Sequence, residues 1–114
     1  MNPPARTPEQ RKQDTLDRLD RDVDVWVATA GDDGPYMVPL SFLWDGSALL
    51  LSTPSASPTG RNLVANVAAK TGFDPRSIAE PYLYFRVTPV RVQAWREVNE
   101  LRGRDLMLDG KWTV

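Results

Sequence analysis

Polar and apolar positions along the chain follow two different periods, and the change comes at Asp24. Before it, Met1 to Lys12 is polar and contains prolines, and the stretch to Asp20 is charged, with an apolar side of little more than Leu16 and Leu19. Thr7-Pro8-Glu9-Gln10 has the form of a capping box, with Thr7 as N-cap, Pro8 at the first helical position and Gln10 reaching back to the cap. A helix with so thin an apolar stripe belongs across the surface or against a partner subunit rather than in a core.

From Asp24 the alternation suits a strand: Val25, Val27 and Thr29 on one side, Trp26, Ala28 and Ala30 on the other. Gly31-Asp32-Asp33-Gly34 reads as a turn, and Pro35 to Leu43 resumes as a strand. Pro39 has no N–H to give, so an edge position or a bulge is expected there. Asp45-Gly46 is a hairpin signal between Trp44 and the run Ala48-Leu49-Leu50-Leu51. A Ser/Pro-rich loop follows, then a helix starting near Thr59 that carries Leu63, Val64 and Val67 to Lys70, with Thr71-Gly72-Phe73-Asp74-Pro75 as its stop. Tyr82 to Phe85 and Thr88 to Trp95 read as further strands. Leu106-Met107-Leu108, the turn Asp109-Gly110 and Lys111-Trp112-Thr113-Val114 form a last hairpin. This order predicts a mainly β fold, antiparallel, with flanking helices and the character of a small barrel. Residues 1–22 are the polar segment and helix, and residues 23–114 are the barrel, in a single domain.

Composition narrows the chemistry. At 114 residues the chain suffices for one core, burying roughly two-thirds of the surface its unfolded form exposes. It has neither Cys nor His, which excludes disulfides, Cys/His zinc sites, thiol nucleophiles and histidine triads. Fourteen basic against fifteen acidic residues argue against a nucleic-acid-coating role. No apolar run resembles a signal peptide or a membrane span, so the expected setting is soluble and cytoplasmic. The acidic residues of the first helix, Asp14, Asp17, Asp20 and Asp22, read as a solvated face, with no metal site. Trp26, Trp44, Trp95 and Trp112 read first as core or dimer-interface packing.

The segment Ser52-Thr53-Pro54-Ser55-Ala56-Ser57-Pro58-Thr59-Gly60-Arg61-Asn62 carries the candidate chemistry. It leaves a strand and enters a helix, where unpaired amides and aligned peptide dipoles favour an anion. Its hydroxyls can donate, Arg61 adds a planar cationic fork, and Gly60 would let a ligand approach the backbone. The same residues serve equally as a Ser/Pro-rich cap for the helix with Arg61 solvated. Both readings stand at this point.

The succession GDDGPYMVPLSFLWDG, LLLSTPSASPTGRNLVAN and PYLYFRVTPVRVQAWRE resembles the pyridoxamine 5′-phosphate oxidase-like, FMN-binding split-barrel proteins, a superfamily with relatives that use a deazaflavin. The likeness runs from about Arg18 to the C-terminus, and rests on several pieces in order rather than on one strict signature. It implies a split β-barrel and an oxidoreductase that holds FMN, or alternatively a deazaflavin, at a homodimer interface and acts on a small-molecule substrate. By the same resemblance Ser57, Thr59, Arg61 and Asn62 would hold the cofactor phosphate, the strand Tyr36, Met37, Val38, Pro39, Leu40 and Ser41 would run along the ring and ribityl chain, Ser52 and Thr53 would add contacts, and Trp95 would reach the cofactor across the dimer.

The chain also departs from that pattern. The oxidase's basic pair in the phosphate loop is replaced by Pro58 and Thr59, and its Arg/His substrate pattern near the C-terminus is absent. Relatives carry about two further strands where Asn66 is here followed almost at once by Ala68-Ala69-Lys70-Thr71-Gly72-Phe73-Asp74-Pro75. The resemblance therefore implies an incomplete barrel with an internal deletion after Asn66 and unpaired edges open to another chain. Two further readings remain: a truncated, non-catalytic cofactor-binding or dimerisation module, and a small barrel that binds a nucleotide or other anion through Arg61.

Overall fold

The computed structural model describes residues 3–71 and 81–114. The chain divides into two compact units. One takes in Met1–Asp22, Trp44–Ala48 and Val87–Val114, and the other Val23–Leu43 and Leu49–Arg86. The fold is mainly β, with two antiparallel sheets of four and three strands and two flanking helices, and no closed barrel among the described residues. This agrees with the incomplete split barrel expected from the sequence.

In the first unit, helix α1 spans Pro8–Arg21. The Thr7 side chain accepts from the Gln10 amide at 3.1 Å, as an N-cap should. The reciprocal half of the capping box is not made. The Gln10 side chain instead donates forward to Asp14 Oδ1 at 2.7 Å, a charged acceptor one turn on. Strands β5 (Val92–Gln93), β6 (Asp105–Leu108) and β7 (Lys111–Trp112) form the three-stranded sheet, and α1 packs on β6. The strand expected from Thr88 to Trp95 shrinks to β5, because Pro89 cannot donate and the register slips: Val92 faces Met107 but Gln93 faces Asp105. Leu106, skipped between these pairs, is fully buried. The Asp109-Gly110 turn is as expected, with φ of 52° and 78°, the pair of positive angles a type I′ hairpin requires.

The fixing of α1 is polar. Arg11, not a leucine, is the buried residue of the helix, and its guanidinium donates to the Ala94 and Glu100 carbonyls at 3.4 and 3.1 Å. Glu100, 2% exposed, ends a single 3-10 turn at Val98–Glu100. It accepts Arg6 Nε at 2.9 Å and Nη2 at 2.7 Å, and the backbone amides of Arg6 and Arg96 at 2.9 and 2.8 Å. The Arg6 guanidinium holds the Glu100 carboxyl down at about 2, the bidentate pair favouring the charged form.

In the second unit, β1 (Asp24–Gly31), β2 (Gly34–Trp44), β3 (Leu49–Pro54) and β4 (Tyr82–Val87) lie in sheet order β1-β2-β3-β4. β1 and β2 pair without interruption from Asp24↔Ser41 to Gly31↔Gly34, and Gly34 turns the chain with φ 95°. Pro39 thus corrects an expectation: β2 is an interior strand and shows no bulge against β1. Phe42 donates to the Val23 carbonyl at 2.9 Å, so by alternation the even positions of β2 point their amides at β1 and Pro39 faces the β3 side. β3 has only six residues and reaches back about as far as Pro39, so the missing N–H falls where that ladder ends. Helix α2, Pro58–Thr71, packs on β1 and β3 and buries Val64. It continues past Asn66 without a break. The expected stop lies mostly outside the described residues.

α2 covers one face of this sheet, and the other faces solvent. Along β1 from Asp24 to Ala30 and along β2 from Met37 to Leu43 the exposed positions are alternate ones, and they include Trp26 at 66%, Met37 at 60% and Leu43 at 64%. An antiparallel sheet with one free face normally turns polar residues outward. Here that face is apolar, so Trp26 is not a core residue of this chain.

Candidate functional site

The turn between β3 and α2 is built by its own hydroxyls. Ser57 stands just ahead of Pro58, and its Oγ accepts the Gly60 amide at 2.9 Å, which makes it the N-cap of α2. The same hydroxyl donates to the Pro54 carbonyl at 2.8 Å and lies 3.1 Å from Thr53 Oγ1. One hydroxyl has one proton and two lone pairs, so with these three partners Ser57 is saturated, and Thr53 must be the donor to it. The Ser57 amide goes to Pro54 O at 3.1 Å and the Arg61 amide to Ser57 O at 2.9 Å. Pro58 has no N–H. Thr59 is therefore the residue of the first turn whose amide none of these groups satisfies.

Thr59 is 1% exposed, and its Oγ1 is buried with no hydrogen-bond partner. Gly60 corrects another expectation. A Cβ there would collide with the Pro54 carbonyl oxygen and press on Ser57 Oγ at 3.2 Å and Ser55 O at 3.3 Å. The glycine admits the chain's own strand end, and a ligand has no open approach above it. Arg61 lays its Nη1 on the Ala56 carbonyl at 2.6 Å. Asn62 donates from Nδ2 to Thr29 Oγ1 at 3.1 Å, and its side chain fills the space where a Cβ on Gly31 would lie, tying α2 to the end of β1.

Arg61 and Asn62 meet at a cavity of about 280 Å3 that also takes in Tyr36, Asp32 and Asp33. The aspartates oppose an incoming anion, whereas Arg61 and the helix dipole attract it. The two aspartates were not singled out from sequence, and Tyr36 was expected along the cofactor ring with the rest of its strand rather than beside Arg61. The β1–β2 turn that delivers them was legible, but its approach to α2 is a tertiary fact.

The strand candidates divide by face. Met37, Pro39, Ser41 and Ser52 are exposed, while Val38 and Leu40 are half-buried and Thr53 is buried. Side chains alternate along a strand, so the run from Met37 to Ser41 cannot present all its side chains to one ligand. Ser41 and Ser52 do come together, in an apolar groove of about 480 Å3 across β2, β3 and β4 that includes Leu43, Leu50, Tyr84 and Arg86. Tyr84 was missed from sequence, although the alternation of β4 puts it on one face with Arg86. Trp95 belongs to the other compact unit, about half exposed, with the Arg104 guanidinium 5.7 Å from its ring centroid.

Among the described residues no helix is long and apolar enough to cross a membrane. In comparisons with known proteins, no family model matches the chain and no curated protein matches it.

Proposed function

We propose that the chain is the cofactor-binding module of an oxidoreductase of the pyridoxamine 5′-phosphate oxidase-like split-barrel type, using FMN or alternatively a deazaflavin, and working as a homodimer on a small-molecule substrate. The observation that carries this reading is the first turn of α2. There a buried Thr59 hydroxyl without a partner sits in the first turn of the helix, and its neighbours Pro58, Arg61 and Asn62 line a cavity. Buried polar atoms are nearly always paired, so an orphan at an anion-favouring helix start is a fit for a phosphate-bearing group. Arg61 would hold the phosphate at the cavity, and Thr59, enclosed in this structure, would join it through a shift of the first turn. Ser57 and Thr53 instead shape the turn, since their hydroxyls are engaged with each other and with Pro54.

β3 joins this turn to the apolar groove, with Ser52 in the groove and Pro54 at the turn. A flat ring would lie along Leu43 and Leu50, with Ser41 and Ser52 as polar contacts. A bound flavin or deazaflavin supplies hydride transfer; the chain's side chains bind it, orient it and exclude water. The exposed apolar face around Trp26, Leu43 and Tyr84, the last 84% exposed, supports the homodimer, because a second copy would cover it. The test is spectroscopic: the purified chain is titrated with FMN and with the deazaflavin while visible absorbance is followed. Saturable binding of one of them at micromolar concentration is expected, and binding of neither overturns the reading.

A second reading, a module that binds or dimerises without turnover, is favoured by the engaged hydroxyls of Thr53 and Ser57 and by Asp32 and Asp33 at the Arg61 cavity. Reduction of a bound flavin by a nicotinamide donor, with onward transfer to an acceptor, would eliminate it.

A further inference from the structure

The first unit has a cavity of its own, about 340 Å3, walled by Arg6, Asp14, Arg18, Trp95 and Arg96 among others. Its charge is built in two layers. In the deeper layer Arg6 binds Glu100 bidentately and donates from Nη1 to Asp14 Oδ2 at 2.9 Å, while buried Arg11 rests on the Ala94 and Glu100 carbonyls. Two cations and two carboxylates balance there. The outer layer is not balanced. Arg96 has its guanidinium 3.5 Å from Asp14 Oδ2, a carboxylate already engaged by Arg6, and stays 57% exposed. Among the described residues Arg18 pairs with Asp22 alone, at an exposed site 3.0 Å away, a kind of pair that holds its partners weakly in water.

Beside these guanidinium groups stands the Trp95 indole, half exposed and with Arg104 on its ring. A flat apolar surface next to surplus planar cations suits a ligand with both properties. The volume lies at the small end for ligand pockets, which run from roughly 300 to 1,000 Å3, so it admits one ring with its acid group and little more.

We propose that this cavity binds a small aromatic carboxylate, with its ring against Trp95 and its carboxylate taken by Arg96 and Arg18. Arg6, held by Glu100, and Asp14, held by Arg6, are positioning residues. Every residue that forms this site lies in the unit that does not contain the phosphate turn.

The test uses the full chain with no flavin present, so its outcome is independent of the cofactor reading. Benzoate, its neutral analogue benzamide and inorganic phosphate are titrated by calorimetry, with indole fluorescence as a second signal. Benzoate is expected to bind saturably, and both benzamide and phosphate to bind at least roughly tenfold more weakly. Arg96→Gln should weaken benzoate by about tenfold or more, with an unchanged thermal melt because that guanidinium is exposed. Trp95→Ala should abolish the fluorescence response that benzoate causes. The proposal is overturned if benzoate shows no saturable binding, if benzamide or phosphate binds as tightly, or if folded Arg96→Gln binds benzoate as the parent does.

Discussion

Replacing Ser57 with alanine removes the N-cap of α2 and strands a buried hydroxyl in one step. Loss of the bond from Ser57 Oγ to the Gly60 amide, 2.9 Å long, costs about 1 kcal/mol, as caps of this type do. Thr53, only 3% exposed, then loses the acceptor of its O–H, and an unsatisfied buried hydroxyl adds roughly 1–2 kcal/mol. The Pro54 carbonyl keeps the Ser57 amide, so its loss is partial and adds little. The sum is about 2–3 kcal/mol, or a fall in Tm of roughly 8–12 °C for a domain near this size. Urea titration and thermal melts followed by far-UV circular dichroism would measure it. Thr53→Val alone should also destabilise. Combined with Ser57→Ala it should cost less than the two singles together, because both ends of one hydrogen bond are then gone. Strict additivity, or a Ser57→Ala cost below about 0.5 kcal/mol, would refute the saturated-hydroxyl account of the turn.

Two further outcomes follow from the same geometry. Gly60→Ala adds a good helix former, worth up to about 1 kcal/mol, yet the new methyl meets the Pro54 carbonyl backbone. The expected result is a net loss of roughly 1–2 kcal/mol in urea titration, and a stabilised variant would contradict the packing described. Glu100 has a folded-state pKa depressed to about 2 from the usual 4.5, chiefly by Arg6. Its contribution is therefore present above pH 4.5 and is lost as pH falls toward about 2. Stability measured across that window should fall in the parent chain and fall less steeply in Glu100→Gln, with equal slopes as the refuting result.

Features set by neighbouring residues were legible in the chain. The turns at Gly31-Asp32-Asp33-Gly34 and Asp109-Gly110 and the Thr7 cap depend on backbone angles and hydroxyls within a few positions, and the structure has each of them. The alternation from Val25 onward, likewise local, foretold β1, β2 and the mainly antiparallel β character. The helix after the Ser/Pro loop was foreseen within a residue of its start, because proline and serine mark helix N-termini by their own chemistry.

What depended on distant partners was not legible. Arg6 and Glu100 are 94 residues apart, and only the docking of α1 on β6 turns a charged surface helix into one anchored by a buried arginine. Pro39 pointed to an edge, but the order of strands decided that β2 is interior and that the missing amide falls at the end of a short neighbour. In the candidate turn the sequence determined the types of donor present: serine, threonine and arginine before a helix. The fold decided their use: the conformation of the turn engages Thr53 with Ser57 and closes Gly60 under Pro54, the approach of β1 engages Asn62 with Thr29, and Thr59 keeps an unpaired hydroxyl. The reason is physical. A residue type fixes how many hydrogen bonds a group can make, while the approach of other chain segments fixes how many remain for a ligand.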